Sequence, residues 1–140
     1  GSFWRPSQTT ASLVARLQGE ASLIAATGTS APCLSLFQPL SFADESGAAL
    51  LSDPLAPIEQ SLWWRFEAVH RRSLVDTAFR QALRTSRNAQ EAELWLALQQ
   101  PAMDWLRLAE RAGNWHRDWQ AQALEASPPL SRWWRRQARL

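Results

Sequence analysis

Thr9-Thr10-Ala11-Ser12-Leu13-Val14-Ala15-Arg16-Leu17 decides the fold class. Thr9, Ala11, Leu13, Ala15 and Leu17 alternate with Thr10, Ser12, Val14 and Arg16. A period of two belongs to an extended strand, whose successive side chains point to opposite faces. One face is apolar and the other mostly polar, so Leu13 is expected inside and Arg16 outside. A slip of one residue would invert both. Gln18-Gly19-Glu20 reads as a tight turn and Ala21–Thr27 as the returning strand. Gly28 to Pro32 is a loop of small, turn-forming residues. Pro32–Leu40 then gives a third strand, with Leu34 and Leu36 on one face and Cys33, Ser35 and Phe37 on the other. Residues 3–42 are therefore expected to form a three-stranded antiparallel meander.

Outward from this stretch the pattern changes. Residues 43–56 read as a connecting loop and residues 57–140 as a helical region. Ile58, Leu62, Phe66, Val69, Leu74, Phe79 and Leu83 recur near helical spacing. Pro57 suits a first helical position, and Glu59 suits the positive end of the helix dipole. Asn88 and Glu91 have the spacing of a capping box for a second helix, with a stripe of Leu94, Leu98, Ala102, Trp105 and Ala109. Pro101 must kink or restart that helix, because it removes a donor and clashes with the preceding turn. Gly113-Asn114 is expected to stop it. Pro128-Pro129 closes the next segment, and Leu130–Leu140 is a short basic tail. Strands followed by helices imply an α+β domain with an antiparallel sheet covered on one side. Such a sheet keeps an exposed edge, which natural proteins usually cover. Self-association through the uncovered sheet is therefore expected.

The composition narrows the class. The chain has 140 residues, suited to one domain, with 46% hydrophobic and 20% charged residues. All 15 basic residues are Arg, and eight of the nine Trp follow residue 60. Residues 1–60 hold two Arg against five acids, a net of −3, and residues 61–140 hold 13 Arg against eight acids, a net of +5. A total of +2 does not argue for specific nucleic-acid binding. No run of 18 apolar residues suggests a transmembrane segment. One Cys excludes an internal disulfide and fits a reducing, cytoplasmic setting.

Two stretches resemble a known family. Gln8-Thr9-Thr10-Ala11-Ser12-Leu13-Val14 is followed by Thr27-Gly28-Thr29-Ser30-Ala31-Pro32-Cys33-Leu34-Ser35-Leu36-Phe37-Gln38-Pro39. Ser61-Leu62-Trp63-Trp64-Arg65-Phe66-Glu67 then runs into His70-Arg71. Order and spacing resemble the C-terminal part of secernins and related dipeptidases, over roughly residues 8–75. The resemblance implies part of an αββα sandwich of the N-terminal-nucleophile hydrolases. It implies a nucleophilic Cys whose own α-amine is the base, placed well before the matching region. Gly1 or Phe3 at the start offers no such side chain. The expectation is a C-terminal segment of a cysteine amidohydrolase, acting as scaffold and pocket wall. Its partners would be the missing N-terminal part or a second copy. A peptide or small amide would be the substrate of the complete enzyme only.

The remaining candidates are weighed one by one. Cys33 with His70 as base would be a nucleophile, but mid-strand it has no cue for a lowered pKa, so a structural role is expected. Glu67-Ala68-Val69-His70 has Glu-x-x-His spacing, yet His116 lacks a Glu three residues before it, so no metal site is expected. His70 is expected to bond locally. Trp63-Trp64 would place one ring in the core and one against an adjacent layer. Arg132-Trp133-Trp134-Arg135-Arg136 with Arg139 could meet a membrane or nucleic-acid surface, or simply end a helix. No Walker loop, Gly-x-Gly-x-x-Gly or Cys pair is present. No catalytic residue, cofactor or metal is assigned. The rival reading is a non-catalytic helical interaction module.

Overall fold

The computed structural model describes residues 11–17, 23–40, 62–100 and 104–125. Their order is β1 (Ser12–Arg16), β2 (Leu23–Thr27), β3 (Gln38–Leu40), α1 (Leu62–Val75), α2 (Thr77–Ala97) and α3 (Trp105–Glu125). The sheet has strand order β1-β2-β3, antiparallel throughout. The α+β class and the three-stranded antiparallel sheet agree with the sequence pattern. The turn at Gln18–Glu20, the loop at 43–56, the helix start at Pro57, Pro101, Pro128-Pro129 and the basic tail lie outside the described residues.

Register places the core. Ser12 pairs with Thr27, Val14 with Ala25, and Ala25 with Pro39. Paired residues share a face, so Thr27, Ala25, Leu23 and Pro39 look the same way. All four are buried. Leu23 clusters with Leu94 of α2, Leu98 at its C-cap and Leu108 of α3, which joins the sheet to the helices. The larger cluster collects Ala31, Leu34, Leu36, Phe66, Val69, Phe79, Leu83, Ala112, Trp115, Trp119 and Ala123. On α3 its members recur every three or four residues, so one stripe faces inward. The Trp115 indole donates to Ser86 Oγ at 2.9 Å, which satisfies a buried N–H from the neighbouring helix.

Several expectations are corrected. Leu13 is 60% exposed rather than buried, and Leu17 is 79% exposed. Among the described residues β1 pairs with β2 alone, as an edge strand, and Val14 and Arg16 on its opposite face are exposed too. Alternation fixes that two faces differ, not that either is covered. The third strand shrinks from Pro32–Leu40 to Gln38–Leu40. Ala31–Leu34 forms a turn instead, closed by the Leu34 N–H donating to the Ala31 carbonyl at 2.9 Å. Pro32 sits second in that turn, where its fixed φ is favoured. Cys33 is therefore an exposed turn residue, not a mid-strand one.

The helical stretch through Leu83 is two helices. Asp76 adopts φ −115° and ψ 100° and accepts the Phe79 N–H, capping α2. The break turns Leu74 and Val75 out to solvent. Asn88 and Glu91 do not cap a helix, because α2 runs past both. Gly113-Asn114 does not stop α3 either. An internal Gly costs about 1 kcal/mol relative to Ala, less than burying the flanking Trp115 and Trp119 returns. Trp63 and Trp64 do not divide between core and outer layer. Their rings meet edge to face, centroids 4.6 Å apart, with Trp64 exposed.

Leu83 is 0% exposed and Leu96, on the same helix, is 64% exposed. Leu83→Ala should cost about 2–5 kcal/mol in urea unfolding, while Leu96→Ala should stay within about 0.5 kcal/mol. Equal effects would contradict this orientation of α2.

Candidate functional site

The sequence puts hydroxyls at Thr27, Thr29, Ser30 and Ser35, where β2 ends and the Pro32 turn follows. All four residues are buried, and buried hydroxyls need partners. The partner comes from 81 residues away: Ser35 Oγ lies 3.0 Å from His116 Nε2. Thr27 Oγ1 lies 2.7 Å from Ser35 Oγ and 3.3 Å from Thr29 Oγ1. His116 is itself only 3% exposed. Its ring meets Phe66 and Trp115 edge to face, at 5.4 and 5.1 Å.

Chemistry fixes the direction of this chain. His116 Nδ1 is 2.7 Å from the Ala112 carbonyl, which can only accept. Nδ1 therefore carries the proton. Burial pushes the imidazole down to about 4, and the Arg65 guanidinium adds repulsion, while the Ala112 bond opposes both. At neutral pH the ring is neutral, so Nε2 accepts from the Ser35 hydroxyl. The Ser35 proton is directed at Nε2 at 3.0 Å, with the Leu36 carbonyl a more distant acceptor at 3.3 Å, so Ser35 accepts from Thr27, and Thr27 from Thr29.

A second polar group adjoins the first. Glu67 of α1 is buried, and burial alone would raise its carboxyl. Hydrogen bonds from His70, Arg71 and Ser30 outweigh burial and hold the carboxyl below its ordinary range. His70 Nδ1 is 3.1 Å and Arg71 Nε 2.9 Å from its oxygens. The loop between β2 and the turn is thus tied to α3 through Ser35.

The Ser35–His116 pair has the nucleophile–base geometry of an acyl-transfer site. Its surroundings do not complete one. Nδ1 is oriented by a backbone carbonyl, and Ser35 is 0% exposed, so no substrate reaches Oγ. The arrangement instead latches a loop to a helix. Cys33 and His70 are not brought together: Cys33 is exposed on the turn, and His70 bonds Glu67 one turn before it. Among the described residues no three His, Cys, Asp or Glu side chains gather as a metal cluster. Among them too, no helix is long and apolar enough to cross a membrane. The tail at Arg132–Arg139 lies outside the described residues.

The sequence places His116 among the possible metal ligands and bases for Cys33, and Ser35 on a strand; neither reading pairs the two. The available signal was a polar residue on a buried stripe, since His116 follows Trp115 and shares a face with Ala112, Trp119 and Ala123. Comparison of the chain with protein-family models, curated proteins and solved structures gives no match.

The latch should report on pH. The unfolded imidazole titrates near 6.5 and the folded one at about 4. Between these values the unfolded chain binds a proton that the folded chain refuses. Stability is then complete above pH 6.5, falls as the pH drops towards 4, and levels off below. The loss attached to His116 is about 3 kcal/mol. In denaturant unfolding across pH 7 to 4, His116→Gln should be less stable at pH 7 and lose most of this slope. Ser35→Ala should cost about 1–3 kcal/mol at pH 7, because Nε2 is left without its donor. An unchanged slope in His116→Gln would refute the assignment.

Proposed function

We propose that this chain is a C-terminal segment of a cysteine amidohydrolase resembling secernins and dipeptidases. In this reading it serves as scaffold and pocket wall, and the nucleophile lies elsewhere in the complete enzyme. The substrate of that enzyme is a peptide or small amide. The observation that carries the reading is the sealed latch on the Thr27–Pro39 stretch, whose Thr27–Cys33 segment is, with Trp63-Trp64, a specific part of the resemblance. Residues held by the Ser35–His116 contact, at or near zero exposure, act by holding shape rather than by touching substrate. A further support is β1, whose apolar Leu13 and Leu17 are exposed along a sheet edge. An exposed apolar edge strand suits a larger sheet in which it is a neighbour rather than a boundary.

A non-catalytic interaction module is the second reading. It is favoured by exposed Leu74, Val75, Leu96, Leu106 and Leu124 on the three helices. Scattered exposed leucines are ordinary on soluble surfaces, so this support is weaker than the latch.

The 140-residue chain alone should show no turnover of dipeptides or acyl amides, and Cys33→Ala should change nothing. Joining it to an upstream segment bearing a Cys at a free N-terminus should produce amidase turnover. Activity in the chain alone that disappears with Cys33→Ala would overturn the reading and restore a Cys–His hydrolase.

A further inference from the structure

Thr77, Arg80, Gln81, Arg84, Thr85 and Asn88 recur at helical spacing along one face of α2 and line a solvent-open depression of about 360 Å³. A volume in this range is that of a small-ligand site. Among the described residues its walls are unlike an ordinary one, since the six side chains are polar and include two guanidiniums and no carboxylate.

Among the described residues, Asp76 is committed elsewhere. Asp76 stands four residues before Arg80, the natural spacing for an ion pair. Its Oδ1 takes the Phe79 N–H at 2.9 Å, and its Oδ2 faces Arg72 at 3.3 Å, on the other side of the cap. Burial raises the Glu91 carboxyl against the opposing pull of Arg87 and the Phe37 backbone, and Glu91 does not line the depression. Arg80 and Arg84 have no ion-pair partner among the described residues. Like charges one helical turn apart repel, and an anion between them removes the repulsion.

Asn88 is set for the same charge. Arg87 donates to its Oδ1 from Nε at 3.2 Å and from Nη2 at 2.6 Å. Arg87 is in turn held by the Cys33 carbonyl of the turn. With its oxygen occupied, Asn88 has only its NH₂ group left for the depression. Arg80, Arg84 and the Asn88 amide are donors, and the hydroxyls of Thr77 and Thr85 can donate as well.

We propose that this face of α2 binds a small ligand through one oxyanion group, a phosphate or a carboxylate, seated between Arg80 and Arg84. Guanidinium forks match either anion with paired hydrogen bonds. The anion screens the two cations, and the threonine, glutamine and asparagine side chains meet uncharged polar parts of the same ligand. The site is independent of the amidohydrolase reading.

The test titrates the full chain with inorganic phosphate and, separately, with N-acetylglycine, at ionic strength held constant with sodium chloride. Arginine Nε–Hε resonances are followed by NMR. Saturable shifts at Arg80 and Arg84 are expected with one of the two anions. Saturation by phosphate assigns a phosphate-bearing ligand, and saturation by N-acetylglycine a carboxylate ligand. Arg84→Gln should raise the dissociation constant at least tenfold, and Arg117→Gln on α3 should leave it unchanged. Glutamine is as good a helix former as arginine, so the fold should hold. Arg80→Gln provides an independent second variant with the same expectation. Non-saturating shifts with both anions, shifts spread over arginines generally, or full affinity in either variant overturn the proposal.

Discussion

A neutral imidazole sealed among aromatic rings is costly unless both nitrogens are bonded, and the rest of this structure is arranged around meeting that condition. His116 meets it with its own helix on one side and the Pro32 turn on the other. The Ala112 carbonyl sets the tautomer, and the tautomer makes Ser35 a donor. Ser35 must then be delivered by a turn, since an extended strand through 32–40 would carry its hydroxyl past the ring. Pro32 builds that turn. One polar contact between segments distant in sequence thus joins α3 to the loop that carries the buried Leu34 and Leu36 and leads into β3.

The same contact explains why the helices stack as they do. α3 presents His116 and its aromatic neighbours inward, so α1 must supply Phe66 and α2 must supply Phe79 and the Ser86 hydroxyl. Arg72 of α1 donates to the Gln122 carbonyl of α3 at 2.6 Å and lies 4.5 Å over the Phe79 ring. One side chain thereby ties the ends of all three helices. Asp76 makes that possible by ending one helix and starting the next in a single residue. The outer face of α2 is left free of these duties, and among the described residues Arg80 and Arg84 there have no ion-pair partner.

Local pattern was legible where the physics is local. Period-two alternation gave β1 and β2, and 3.6-residue periodicity gave the helical half with Phe66, Val69, Leu83, Leu94 and Leu98 inside. Failures came where a neighbour decides. Leu13 alternates like a buried residue, but no described element covers it. Gly113 has weak helix propensity, but tertiary burial around Trp115 overrides it. Asp76 was a cap hidden inside an apolar periodicity, and Pro32 was a turn residue read as a strand start. The Ser35–His116 bond was invisible because nothing in either local sequence announces a partner 81 residues away. Only the misfit of a histidine on a buried stripe pointed to it.

The tautomer of His116 is the most direct test of this account. Long-range ¹H–¹⁵N correlation of the imidazole at pH 7 should show the proton on Nδ1 and a bare, accepting Nε2, the less common form of free histidine. The ring should stay neutral down to pH 5. A proton on Nε2, or titration near the free value of about 6.5, would mean that Ser35 is not its donor and that the latch does not hold the fold.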